Sequence, residues 1–152
     1  MASPQWLILS AVKAALEGSA GFSGVTVKIR ERPYHSSDHG DPPTLVTVSP
    51  EAEDLLSCFM PDGMEVAWPV VVAIFQPKDG VVQDAAAAQA RVAYRWAALQ
   101  ALGVPRLSGA STVFNFAYDA KPFVDLGGLD QAMKVSLQRF TYKSKETRGG
   151  SG

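Results

Sequence analysis

The sequence predicts an α+β domain: a single mixed or antiparallel sheet of about five strands with two helices packed on one face, in the order α-β-β-β-α-β-β. Three observations carry this expectation. Apolar residues recur at spacings of three and four in two segments, 4–17 and 85–101; several other segments alternate apolar and polar residues; and no stretch of sequence repeats. The length of 152 residues is that of one domain with an ordinary core, so we assign 1–146 to that domain and 147–152 to a flexible tail.

Ser3 before Pro4 reads as an N-cap followed by proline at the first helical position, and Gly18 reads as the stop, which places helix one at about 4–17. Trp6, Leu9, Val12 and Leu16 form its apolar stripe. Val25, Val27 and Ile29 alternate with Thr26, Lys28 and Arg30 in a first strand. ERPYHSSDHGDPP is then an exposed loop, rich in turn formers. Thr44–Ser49 is a β-branched second strand, and the acids of EAEDLL suit one turn of helix.

Glu65–Gln76 reads as a third strand, buried on both faces. Pro69 cannot donate to a ladder, so the first part of this strand belongs at an edge or bulge, with central pairing from Val70. Asp84 is a plausible N-cap for helix two, about 85–101, whose stripe is Ala88, Val92, Trp96 and Leu99; Gly103 and Pro105 end it. Trp96 and Leu99 are therefore expected to pack on Val71, Val135 or Leu137, with Trp6, Trp68 and Trp96 all on core faces. Phe114, Phe116 and Tyr118 mark a fourth strand, followed by turns up to Gly128. In the fifth, Met133, Val135 and Leu137 face the core while Lys134, Ser136 and Gln138 face water. KSKETRGGSG has too few apolar residues to pack.

Composition excludes several function classes. Fourteen Lys and Arg against fifteen Asp and Glu leave a net charge of −1, so no global field draws the chain to nucleic acid or an anionic membrane. One cysteine, Cys58, permits no intrachain disulfide, and its setting LLSCFM suggests a buried, inert thiol in a reducing compartment. The apolar start lacks a basic leader and is broken by Ser10 and Lys13, so it does not read as a signal peptide. Nothing approaches the roughly 18–20 apolar residues of a membrane span, and a soluble protein is expected.

Chemistry is hard to place. His35, Asp38, His39 and Asp41 are four residues of metal-ligand type in one loop, but they match no metal motif and no ligand from another element is apparent, so a solvated loop is the favoured reading. Glu51, Glu53 and Asp54 complement a helix start. There is no Walker loop and no GxGxxG, so no catalytic residue, metal or cofactor is assigned. The basic run Lys143, Lys145 and Arg148 is either solvated or an arm that orders on a partner.

The stretches ILSAVKAALEG, VTVKIRERPY, WPVVVAIFQPKDG before a long helix, and VSLQRFTYKSKE give residues 6–146 an order of elements that resembles the tail terminator and neck (head–tail joining) family of long-tailed bacteriophages and prophages. Residues 51–64 are longer than that pattern. The resemblance implies a structural virion protein and not an enzyme. It would be a subunit of a homo-oligomeric ring, commonly a hexamer, which is assembled in the bacterial cytoplasm, caps the tail tube and joins it to the head connector. Its partners would be copies of itself, the tail tube protein and the connector protein, with no sequence-specific nucleic-acid recognition and no membrane. Candidate assembly contacts are Arg32, Tyr34, His35 and His39 in the loop 31–43, the insertion 51–64, and Lys143, Lys145 and Arg148 in the tail. The rival expectations are a metal-dependent hydrolase using His35 and His39, and a cytoplasmic adaptor that extends its sheet at the edge marked by Pro69.

Overall fold

Ser3 caps the first helix as its sequence implies: its hydroxyl accepts from the Trp6 backbone N–H at 3.1 Å, and Pro4 begins the helix. The computed structural model describes residues 3–59, 63–77, 85–125 and 133–147. In chain order the elements are α1 (Pro4–Glu17), β1 (Thr26–Ile29), β2 (Leu45–Pro50), β3 (Asp54–Phe59), β4 (Gly63–Pro77), α2 (Ala85–Leu102), β5 (Val113–Asp125) and β6 (Met133–Thr147). This is the expected α+β class with one mixed sheet, but the sheet has six strands, ordered β1-β2-β4-β6-β5 with β3 also on β4. The added strand is EAEDLL and its neighbours, where a helical turn was expected. The first half of β4 offers a free ladder there, and Asp54–Phe59 fills it.

β4 runs through the centre. Its outer half, from Gly63 to Ala67, pairs with β3, its inner half, from Val70 to Phe75, pairs with β2, and its other edge pairs with β6 along its whole length. Pro69 sits in the gap between the two partners. Its carbonyl accepts from the Glu51 N–H at 3.1 Å. Because N–H and C=O of one strand residue point the same way, the proline's missing donor faces this gap and costs no ladder bond. The strand expected to start pairing at Val70 is thus continuous on the β6 side.

Val70, Val72 and Ile74 of β4, Val46 and Val48 of β2, and Phe140 and Tyr142 of β6 line one face and are buried against Ile8, Leu9, Val12 and Leu16 of α1 and Ala98 and Leu102 of α2. Both helices therefore cover this face. Full burial of each large aliphatic chain contributes about 1.5–3 kcal/mol. The opposite face holds a smaller cluster of Leu45, Ala73, Phe75 and Val135, with Leu137 packed on it. Val135 and Leu137 thus lie on the face away from α2, which corrects their expected packing with Trp96. The polar side of β6 is also inverted: Ser136 and Gln138 are buried, and Gln138 Nε2 donates to the Arg95 carbonyl at 3.1 Å and to Tyr118 Oη at 2.9 Å.

α2 turns a different face inward from the one its spacing suggests. Leu99 packs on the core beside Tyr94, Ala97 and Ala101, but Val92 is 55% exposed and Trp96 59%. The helix is apolar almost all round, so the 3.6-residue period defines two candidate faces. The face rich in alanine wins because it permits close approach. A Cβ on Gly21, in the turn after α1, would lie 2.5 Å from Ala97 Cβ, and Phe22 beside it stacks on Tyr94 with ring centroids 5.5 Å apart. Trp6 of α1 is likewise 51% exposed, and of the three tryptophans Trp68 alone packs on the core.

β5 continues to Asp125, beyond the turn expected after Tyr118, and β6 continues to Thr147. Residues 143–147 are paired with the outer half of β4, so this stretch is sheet and not a free arm. Ser144 is buried and accepts from the Trp68 indole at 2.8 Å. A deletion starting at Lys143 would therefore damage the fold. Asp84, the turns at 126–128, and Arg148 with the rest of the tail lie outside the described residues.

Tyr142 ties β6 to the end of α2. Its hydroxyl donates to the Leu102 carbonyl at 2.6 Å. Burial pushes the phenol pKa well above its usual value, so the donor keeps its proton at ordinary pH. Tyr142→Phe leaves that carbonyl without its partner and is expected to cost about 1–3 kcal/mol in denaturant melts.

Candidate assembly surface

The loop between β1 and β2 is fixed from beneath by charge. Val27 and Ile29 point to the helix-side core, so Lys28 and Arg30 project to the other face, under the loop. Asp41 descends onto them with its side chain fully buried. Arg30 donates to both carboxylate oxygens at 2.7 and 2.6 Å, Lys28 donates at 2.9 Å and the Ser36 N–H at 2.9 Å. The Arg30 hydrogen bonds hold the Asp41 carboxyl well below the usual carboxylate range, against the opposing effect of burial. Asp41 raises the Arg30 pKa in return. Gly40 accommodates the bend with φ of +83°.

This network takes Asp41 out of the candidate metal set. His35 Nε2 donates to the Pro42 carbonyl at 2.6 Å, and its ring lies 5.8 Å from that of Phe75. His39 is exposed. Among the described residues no group of three His, Cys, Asp or Glu side chains is placed to hold a metal. Chelation with EDTA is expected to leave the melting temperature unchanged, and a fall would show a structural ion.

The other sequence candidates are dispersed. Tyr34 stacks on Arg30, with the guanidinium carbon 4.1 Å from the ring centroid, and half of it faces solvent together with Arg32. Lys145 is exposed with Nζ 5.0 Å from the Phe114 centroid, and Lys143 is half-buried, one strand away from Pro69. Loop and basic strand therefore do not form a joint site.

Sequence reasoning pointed to 51–64 as a contact segment but missed the exposed apolar residues on the two helices. Cys58, expected to be buried, is exposed on β3. Leu55 pairs with Val66 and Ser57 with Glu65, so Leu56 is an extra residue in a bulge, and Leu55 and Leu56 are 55% and 42% exposed. Trp6 and Leu7 at the start of α1, 51% and 43% exposed, form a second surface, and Val92 and Trp96 on α2 a third. A helix apolar on two sides was a usable signal for it. On the open face of the sheet, Arg139 binds Glu51 through Nε at 2.5 Å and Nη2 at 3.1 Å, and Asp119 at 3.2 Å, cross-linking β6 to the start of the β3 segment and to β5. No helix is long and apolar enough to cross a membrane among the described residues.

No family model and no curated protein matches the sequence. Among solved structures, the chain is similar to a chain of the virion of a native gene transfer agent (GTA) particle, with a TM-score of 0.60 and 17% identity over 91% of this chain and 95% of that one. At that identity the likeness establishes a shared fold, and it spans nearly the whole of both chains.

Proposed function

We propose that this protein is a structural subunit of a phage-like virion, a tail terminator or neck subunit whose identical copies, six in this reading, close into a ring between the tail tube and the head connector. The observation that carries the proposal is surface apolarity in three separate places among the described residues, Val92 with Trp96, Leu55 with Leu56, and Trp6 with Leu7, on a domain that buries a core of its own. A ring subunit requires two different contact faces on one chain. The fold shared with a virion chain over almost its full length supports the same reading. Loop residues Arg32, Tyr34, His35 and His39, and the basic residues Lys143, Lys145 and Arg148, are proposed to meet the tail tube and the connector. Immunogold labelling of a tagged copy should mark the head–tail junction of purified particles. Tagged protein that is absent from purified particles would contradict the proposal.

A further inference from the structure

α2 is anchored along only half of its length. Among the described residues, those of α2 that pack on the core all lie in its second half: Tyr94, Ala97, Ala98, Leu99, Ala101 and Leu102. From 85 to 93 every described side chain is exposed except Arg91, which is half-buried. The helix follows β6, because Leu102 is tied to Tyr142 and Arg95 to Gln138. Its first turns therefore lie towards Ser136 and Lys134.

The sheet changes chemistry at the same point. Phe140 and Tyr142 are fully buried on the helix side of β6, and on that side the strand continues with Gln138, Ser136 and Lys134, 1%, 1% and 7% exposed. Gln76 of β4 stands opposite Lys134 in the ladder. Ser136 Oγ, Gln138 Oε1 and Gln76 Oε1 are buried without a hydrogen-bond partner. Such a concentration of orphaned polar atoms is rare in a fixed interior, because each carries an uncompensated loss of hydration. At the boundary, Tyr94 stacks on Phe22, and Arg95 Nη1 donates to the Leu137 carbonyl at 2.9 Å.

We propose that residues 85–93 of α2 form a strap that lifts off the sheet as one unit, while 94–102 stays docked, and that the polar floor beneath makes this opening possible. The inference stands apart from the ring proposed above. Lifting uncovers little apolar surface, since the strap is already in water; Arg91 is the one described side chain that it withdraws. What it uncovers, Ser136 and Gln76, is polar and regains water, which offsets the contacts that are lost. Beyond Arg95 the balance reverses, because Ala98 and Leu102 are fully buried among apolar neighbours. Once detached, the strap is shorter than the roughly 12–15 residues that an isolated helix needs, so it unravels as it lifts.

Amide hydrogen exchange on dilute full-length protein tests this. Amides of 89–93 should be at least about a hundredfold less protected than those of 98–102, with a step near Tyr94, and low guanidinium should leave the first group unchanged while it lowers the second. Leu45→Ala weakens the fully buried cluster on the opposite face of the sheet. It should lower the protection of 98–102 by about thirtyfold or more and leave that of 89–93 as it was, because the strap opens without unfolding the core. A smooth decline in protection from 102 to 89 would show fraying from the helix end and overturn the unit. Parallel losses in the two groups would show a helix that opens only with the whole domain and overturn the inference. If Leu45→Ala does not fold, the guanidinium dependence of the wild type decides alone, parallel slopes overturning the strap and unlike slopes supporting it.

Discussion

Asp41→Asn is expected to destabilise the domain by about 3 kcal/mol, at the lower end of the cost of breaking a buried ion pair, because Lys28 is already partly in water and can turn outward. The substitution keeps the shape of the side chain and removes the charge that two cations and a backbone N–H converge on. The loss should appear in chemical denaturation, and the loop should become the first segment to exchange its amide protons. The pH dependence has a definite sign. The Asp41 pKa is lower in the folded state than in the unfolded chain, so its stabilisation is fully present above the unfolded value of about 3.9 and is lost as pH falls below it towards the folded value. Wild-type protein should therefore lose more stability between pH 5 and pH 3 than Asp41→Asn does. Equal losses would show that Arg30 and Lys28 do not act through this carboxylate.

Trp96→Ala is expected to separate folding from assembly. A tryptophan 59% exposed on a helix contributes little to the monomer, so the stability change should stay within about 0.5 kcal/mol. Phe140→Ala, at a fully buried position, should cost about 3–5 kcal/mol in the same assay. An aromatic anchor at the centre of an interface, in contrast, is worth at least about 2 kcal/mol, or roughly thirtyfold in affinity. Sedimentation of Trp96→Ala should show rings giving way to smaller species at concentrations where the wild type is assembled. A variant that melts several degrees lower yet assembles normally would return Trp96 to the core.

Much of the architecture was legible because local and global signals agree. Ser3, Pro4 and Gly18 bound α1 at the expected residues, and alternation located β1, β2 and the start of β5. The failures share a physical origin. In α2, alanine supplies an apolar stripe on either side of the helix, and the choice between them depends on how closely Gly21 and α1 can approach, which is a tertiary fact. β3 has a composition that suits a helix start and becomes a strand only because β4 is longer than β2 and leaves a ladder unpaired. Lys143–Thr147 reads as a polar tail, yet the same β4 extension pairs it. The buried Asp41 could not be told from its solvated neighbours, since the positions that matter, Lys28 and Arg30, belong to another element. The assembly surface was hidden for a related reason: exposed Val92 and Trp96 look in sequence like any core stripe.

Electron microscopy of the purified protein tests the central claim most directly. Class averages should show closed rings with one rotational symmetry, with Trp96→Ala depleted in them at equal concentration. A field of single compact particles the size of one 152-residue domain, unchanged as concentration rises and unchanged by Trp96→Ala, would contradict the account.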